Sequence, residues 1–87
     1  MYYVYILESL LNEDFYKGST ENYLKRFEEH CLGESKYTKS RRPWKLIFVQ
    51  VLSTKHEALI REKQLKRCNK EYLRWLIHQP LNILNKQ

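Results

Sequence analysis

Tyr2-Tyr3-Val4-Tyr5-Ile6-Leu7 is the stretch that decides the fold. Aromatic and β-branched side chains fit a pleated, half-buried surface, so it reads as a β-strand. Both of its alternating faces are apolar, which puts it between two layers rather than with one face in water. Asn12-Glu13-Asp14 is a turn cluster. Residues 15–19, Phe-Tyr-Lys-Gly-Ser, then return as a short second strand and make a hairpin. Residues 44–52, Trp-Lys-Leu-Ile-Phe-Val-Gln-Val-Leu, are the strongest strand in the chain.

Helices are expected between and after these strands. Asn22 suits the N-cap of a helix running to about residue 32, with Leu24, Phe27 and Cys31 as its inward stripe and Gly33 as its end. Residues 34–43 read as a polar loop. Thr54 and Glu57 fit a capping box that opens a helix to about residue 67. Asn69 or a neighbour breaks it. A third helix spans about 70–78, with Leu73, Leu76 and Ile77 inward, and Pro80 stops it. The order β-β-α-β-α-α predicts an α+β fold, a small, mainly antiparallel three-stranded sheet flanked by helices.

With 87 residues the chain holds one domain, spanning 1–87, and 43% hydrophobic residues are enough for one thin core. Two cysteines, Cys31 and Cys68, are not a disulfide framework. The apolar start carries no preceding positive charge and ends at Glu8, unlike a secretory signal. The longest uncharged run is too short and polar to span a bilayer. A cytoplasmic protein is expected, with no membrane partner.

Charge is unevenly placed. Residues 1–35 hold three Lys/Arg against seven Asp/Glu, and residues 36–87 hold thirteen against three, within a net charge of +6. Such a field draws polyanions: nucleic acid, an acidic membrane surface or an acidic protein. The densest stretch is 36–45, with Lys36, Lys39, Arg41, Arg42 and Lys45 and the aromatics Tyr37 and Trp44 interleaved. That mixture suits a phosphate backbone with stacking platforms, and equally a solvated surface. Arg61, Lys63, Lys66, Arg67, Lys70 and Arg74 form a second basic set.

A few polar residues sit awkwardly for a purely structural role. Glu62 lies between Ala58 and Leu65 on the inward stripe of its helix. A carboxylate there costs several kcal/mol if unpaired, roughly. It needs a Lys/Arg, hydrogen bonds or a metal. Arg26 and His30 share one face of the first helix, with Tyr23 on the same side. They form either a solvated face or the wall of a cleft, where Arg grips phosphate and His shuttles protons. Tyr5 and Tyr16 lie on neighbouring strands, an arrangement that also serves plain sheet packing.

In order, these residues resemble the GIY-YIG nuclease family, in its small stand-alone form. Tyr3-Val4-Tyr5 looks like the first signature tripeptide, with Tyr for its leading Gly. Tyr16-Lys17-Gly18 looks like the second, eleven residues on from tyrosine to tyrosine. Arg26 follows Tyr16 by ten residues, His30 comes one turn later, and Glu62 matches the metal-binding glutamate. The segment Thr38-Lys39-Ser40-Arg41-Arg42-Pro43-Trp44-Lys45-Leu46 also resembles small members. Two departures stand out. Arg74, Trp75 and Leu76 occupy the region of a late-helix Asn, for which Asn69 is early and Asn82 late. Ser19 stands where some members carry a Lys.

The resemblance implies an endonuclease that hydrolyses DNA phosphodiester bonds with one divalent ion, Mg²⁺ or Mn²⁺, on Glu62. Structure-selective cleavage in repair or recombination is the narrower expectation. Tyr16 would be the general base, Tyr5 would position water or phosphate, Arg26 would hold non-bridging oxygens and His30 would assist proton transfer. Only about one free tyrosine in a thousand is ionised at neutral pH, so either nearby cations stabilise the Tyr16 phenolate or a relay to His30 avoids it. Lys17, Lys36, Lys39, Arg41, Arg42, Lys45 and Lys66 would contact the nucleic acid, with RNA not distinguished from DNA. A stand-alone domain lacks a targeting module, so a protein partner is a candidate source of specificity. The alternatives are a nucleic-acid-binding module of the same fold without turnover, and a protein-interaction domain with an acidic partner.

Overall fold

A computed structural model describes residues 1–85. It has three strands, β1 (Tyr2–Ser9), β2 (Phe15–Thr20) and β3 (Trp44–Leu52), and three α-helices, α1 (Tyr23–Cys31), α2 (Lys55–Lys66) and α3 (Lys70–Leu76). The order is β-β-α-β-α-α, with 3-10 turns at Lys39–Arg41 and Ile83–Asn85. β1 is the central strand of an antiparallel sheet ordered β2-β1-β3.

The doubly apolar first strand is explained by two cores, one on each face of the sheet. Val4, Ile6 and Phe48 pack against Ala58 and Leu65 of α2 and Leu73 and Leu76 of α3. Tyr5, Leu7, Trp44 and Val49 pack on the other face with Tyr23 and Phe27 of α1 and Ile83 and Leu84. Each fully buried Ile, Leu or Phe is worth roughly 2 kcal/mol of transfer free energy. The β1–β3 register shifts between Ile6 and Leu7, so Ile47 and Phe48 both face α2 and α3. Such a bulge re-aims side chains while keeping the ladder.

The helix ends follow local chemistry. Asn22 caps α1 by accepting from Lys25 N, Thr54 caps α2 by accepting from Glu57 N, and Asn69 caps α3 by accepting from Tyr72 N. The Thr54 hydroxyl also donates to Glu57 Oε1. Gly33 takes φ +79° just past α1, a conformation that costs a side-chain-bearing residue.

Two expectations are corrected. The inward face of α1 is Tyr23, Phe27 and His30; Leu24 and Cys31 are exposed. Both triplets keep helical spacing and share Phe27, but the buried stripe is centred on the other side of Phe27, roughly 70° around the helix. His30 is fully buried because the folded chain supplies hydrogen-bond partners for both ring nitrogens. The third helix ends at Leu76 rather than His78. Cys31 and Cys68 are free thiols. No helix among the described residues is long and apolar enough to cross a membrane.

Candidate active site around the β2 edge

β2 is an outer strand, and the polar residues singled out above come to it from both faces of the sheet. Tyr5 pairs with Gly18 in the ladder. A Cβ on Gly18 would lie 2.5 Å from Tyr5 Oη, so the phenol crosses the space left by the missing side chain. Tyr16 lies on the same face, its ring 6.3 Å from that of Tyr5 and 5.0 Å from the His30 imidazole. Trp44 closes the back of this cluster at 6.4 Å from Tyr16.

Tyr5 is 2% exposed and its hydroxyl lies 2.9 Å from His30 Nε2. Burial, and then the neighbouring Tyr16 phenol, pushes the Tyr5 hydroxyl above its ordinary range; the Arg26 charge opposes this only in part. Tyr5 is therefore a neutral phenol at neutral pH and donates to His30. His30 is driven down from 6.5 to about 4, first by burial and then by the Arg26 guanidinium, against the smaller pull of Glu29. The neutral ring has one donor nitrogen and one acceptor. With Nε2 accepting from Tyr5, Nδ1–H donates to Thr38 Oγ1 at 2.7 Å, a tautomer assigned from the network. Thr38 in turn accepts from Trp44 Nε1 through its carbonyl.

This chain of contacts revises the expected relay. Of the two tyrosines it is Tyr5 that is hydrogen-bonded to His30, and Tyr16 meets the imidazole by ring contact. Arg26 forms an i,i+3 ion pair with Glu29 at 2.9 Å, and its charge acts on both phenols.

Glu62 reaches the same strand from the opposite face. Its Oε1 accepts the Ser19 hydroxyl at 2.7 Å, and its Oε2 pairs with Lys66 Nζ at 2.8 Å. The carboxylate on the apolar stripe is thus compensated by a lysine and a hydroxyl. Its charge also reaches Tyr5 across the sheet, as the smallest of the influences on that phenol.

A divalent ion fits this donor set in a limited way. Among the described residues no group of three or more His, Cys, Asp and Glu gathers anywhere. Glu62 and the Ser19 hydroxyl are hard oxygen donors, and Mg²⁺ is commonly held by one or two carboxylates with water and substrate phosphate. The residues fit an ion that draws most of its shell from solvent and substrate, with Glu62 as the anchoring ligand.

The basic residues divide. Lys17 is half-buried on the α2 side of β2 and lines a cavity of about 260 Å³ with Arg41, Cys68 and Lys70. Burial, helped by the Lys66 and Lys70 charges, holds its ammonium below its usual range. Lys36 and Lys39 are exposed on the loop beside Thr38. Arg41 and Arg42 brace that loop: Arg41 donates to the Tyr37 carbonyl, pairs with Asp14 and lies over Trp44, while Arg42 donates to the Lys39 carbonyl. Lys45 stands apart, next to Ile77 and His78, with strand alternation placing it opposite Trp44. Asn69 is a helix cap, and Asn82 is buried against β3, so neither is brought to the β2 edge. Thr38 and Ser19 emerge as partners of His30 and Glu62 that residue type alone did not single out; the Tyr5–Gly18 pairing follows once the hairpin register is counted.

The chain belongs to the GIY-YIG family: the family model described as the GIY-YIG catalytic domain matches residues 1–74. This is a nuclease family, and its substrates are nucleic acids. Among curated proteins the chain is similar to a UPF0213 protein of Syntrophus aciditrophicus, 42% identical over 79 residues, covering 88% of this chain and 90% of that one. A UPF0213 protein of Haloquadratum walsbyi is 35% identical over 83 residues, covering 94% and 92%. The solution NMR structure of a UPF0213 protein from Bacillus halodurans matches with a TM-score of 0.58 and 30% identity, over 93% of this chain and 87% of that one. That neighbour and the sheet described above agree on the α+β fold.

Proposed function

We propose that this protein is a divalent-metal-dependent endonuclease that hydrolyses DNA phosphodiester bonds around the outer edge of β2. The observation that carries the reading is that one short edge strand, β2, carries Tyr16, makes room at Gly18 for the second phenol, Tyr5, and through Ser19 holds the sheltered carboxylate of Glu62. Tyr16 is the more accessible phenol, and its minor phenolate form accepts the proton of the attacking water and becomes the neutral phenol. Tyr5, neutral and fixed by His30, positions that water or a phosphate oxygen. His30, oriented by Thr38, keeps the Tyr5 hydroxyl in place. Arg26 leaves Glu29 for the non-bridging oxygens as charge develops on them. Glu62 would hold the divalent ion, Mg²⁺ or Mn²⁺, which would supply Lewis-acid stabilisation of developing negative charge. Lys17, Lys36, Lys39 and Lys66 hold the backbone on either side. Structure-selective cutting in repair or recombination, in the cytoplasm, belongs to the same reading.

A panel of duplex, branched and single-stranded DNAs, with an RNA arm, tests this in Mg²⁺, in Mn²⁺ and in chelator. Cleavage is expected only with the metals. Glu62→Ala is expected to lower it by at least ~100-fold with an unchanged circular dichroism spectrum. Full turnover by that variant in magnesium would remove Glu62 as the ligand. A second reading, a binding module without turnover, is favoured by the engagement of both Glu62 oxygens in the folded chain. Tight binding without cleavage in Mn²⁺ is its signature.

A further inference from the structure

Neither oxygen of Glu62 is free. Ser19 donates to one, and Lys66, one helical turn on, sits against the other. Glu four residues before Lys is the favourable orientation for a helical ion pair. The two partners differ in freedom: the Glu62 side chain is 17% exposed and that of Lys66 is 55%. A sheltered carboxylate requires a counter-charge, whereas a half-exposed lysine on a four-carbon stem can swing away at little cost.

Among the described residues the cavity on that side of β2 is mostly basic: Lys17, Arg41 and Lys70 line it, with Asp14 as the one carboxylate and already paired with Arg41. The Lys66 charge acts on Lys17. With those ammonium groups close by and no free carboxylate in that lining, Lys66 stays on Glu62 until a further anion arrives. A backbone phosphate offers that anion, and it also offers oxygen ligands to an ion at Glu62.

We propose that Lys66 holds, in the free protein, the position on Glu62 that the divalent ion takes, and that nucleic-acid phosphate draws Lys66 off and so admits the metal. This rests on Glu62 being the metal ligand. Lys66 is then a gating residue as well as a backbone contact, and metal and nucleic acid bind with positive coupling. Coupling is reciprocal, so each tightens the other by the same factor. A lysine that only touched phosphate would leave metal binding to the free protein unaffected.

The test measures Mn²⁺ binding to the whole protein by electron paramagnetic resonance of the unbound ion. With no nucleic acid, Lys66→Met is expected to bind Mn²⁺ about tenfold more tightly than the parent. Lys66→Gln is expected to move the same way. Lys63→Met removes an equal charge from the exposed neighbour on α2 and is expected to change little. A short duplex, added in a Tyr16→Phe background to keep it intact, should tighten Mn²⁺ binding about tenfold with Lys66 present and less than about twofold with Lys66→Met. Equal affinities for the parent and Lys66→Met would overturn the gate, as would an equal gain in Lys63→Met, which would mark a general field. In both cases loss of binding in Glu62→Gln would leave the metal site standing. Binding retained by Glu62→Gln, or absent from every protein even with duplex, would sink the gate and the metal site together.

Discussion

Gly18 shows how much one absent side chain decides. The Tyr5 phenol passes over it to reach His30, and a methyl group would meet Tyr5 Oη at 2.5 Å and Cζ at 2.7 Å. Gly18→Ala is expected to displace Tyr5, destabilise the fold by about 1–3 kcal/mol and depress cleavage. A denaturant titration beside the DNA assay checks it; a variant as stable and active as the parent would mean the phenol is free to move. His30 makes a second residue-scale case. Its folded value of about 4 lies below the ordinary 6.5, so between these values the unfolded chain binds the extra proton. Stability is therefore complete above about pH 6.5 and falls as pH drops towards 4, by at most about 3 kcal/mol from this group. His30→Gln should flatten that part of the pH profile. The prediction fails if the two proteins lose stability in parallel between pH 7 and pH 4.

At the scale of elements, β3 has an outer edge that a strand would normally cover. Asn82 covers it instead. Its Oδ1 accepts from Val49 N and Leu84 N, and its Nδ2 donates to the carbonyls of Ile47 and Ile77. One buried carboxamide thus ties the C-terminal turn to the bulged part of β3. Asn82→Ala would leave several of those backbone groups unmet, at about 1–3 kcal/mol each before relaxation. The expected loss is about 2–4 kcal/mol, read from the denaturation midpoint, with the Tyr5–His30 contact intact by NMR. An unshifted midpoint would show that solvent satisfies the edge. The same scale explains the misread face of α1. Hydropathy selects Leu24 and Cys31, whereas the buried positions take Tyr23 and His30 because Tyr3 offers an edge-on ring at 5.0 Å and Tyr5 and Thr38 offer hydroxyls. Those partners come from β1 and the 34–43 loop, so no window along α1 contains them.

For the whole molecule, charge sets how a polyanion is met. The basic residues lie on both sides of the β2 edge, with Lys36 and Lys39 on one flank and Lys17, Lys66 and Lys70 on the other. Replacing Lys36 and Lys39 together by Gln is expected to reduce the slope of log affinity against log salt by about 2. Arg41→Gln should mainly cost stability, since its guanidinium holds Asp14, the Tyr37 carbonyl and the Trp44 ring. A salt slope unchanged in the lysine pair would take that loop out of the binding surface.

What the sequence determined unaided was the kind and order of elements, because strand and cap chemistry act within a few residues. The doubly apolar β1, the caps Asn22 and Thr54 and the β3 boundaries of residues 44–52 are all local, and their order is the fold. The sequence also singled out Tyr5, Tyr16, Arg26, His30 and Glu62, and of these it marked Glu62 as needing a partner. Only the tertiary structure decided which partner each one has: Tyr5 for His30, Ser19 and Lys66 for Glu62, Asn82 for the open edge of β3. The reason is range. Apolar periodicity is written along one element, whereas a hydrogen bond between residues tens of positions apart exists only after sheet register and helix rotation have brought the atoms within reach.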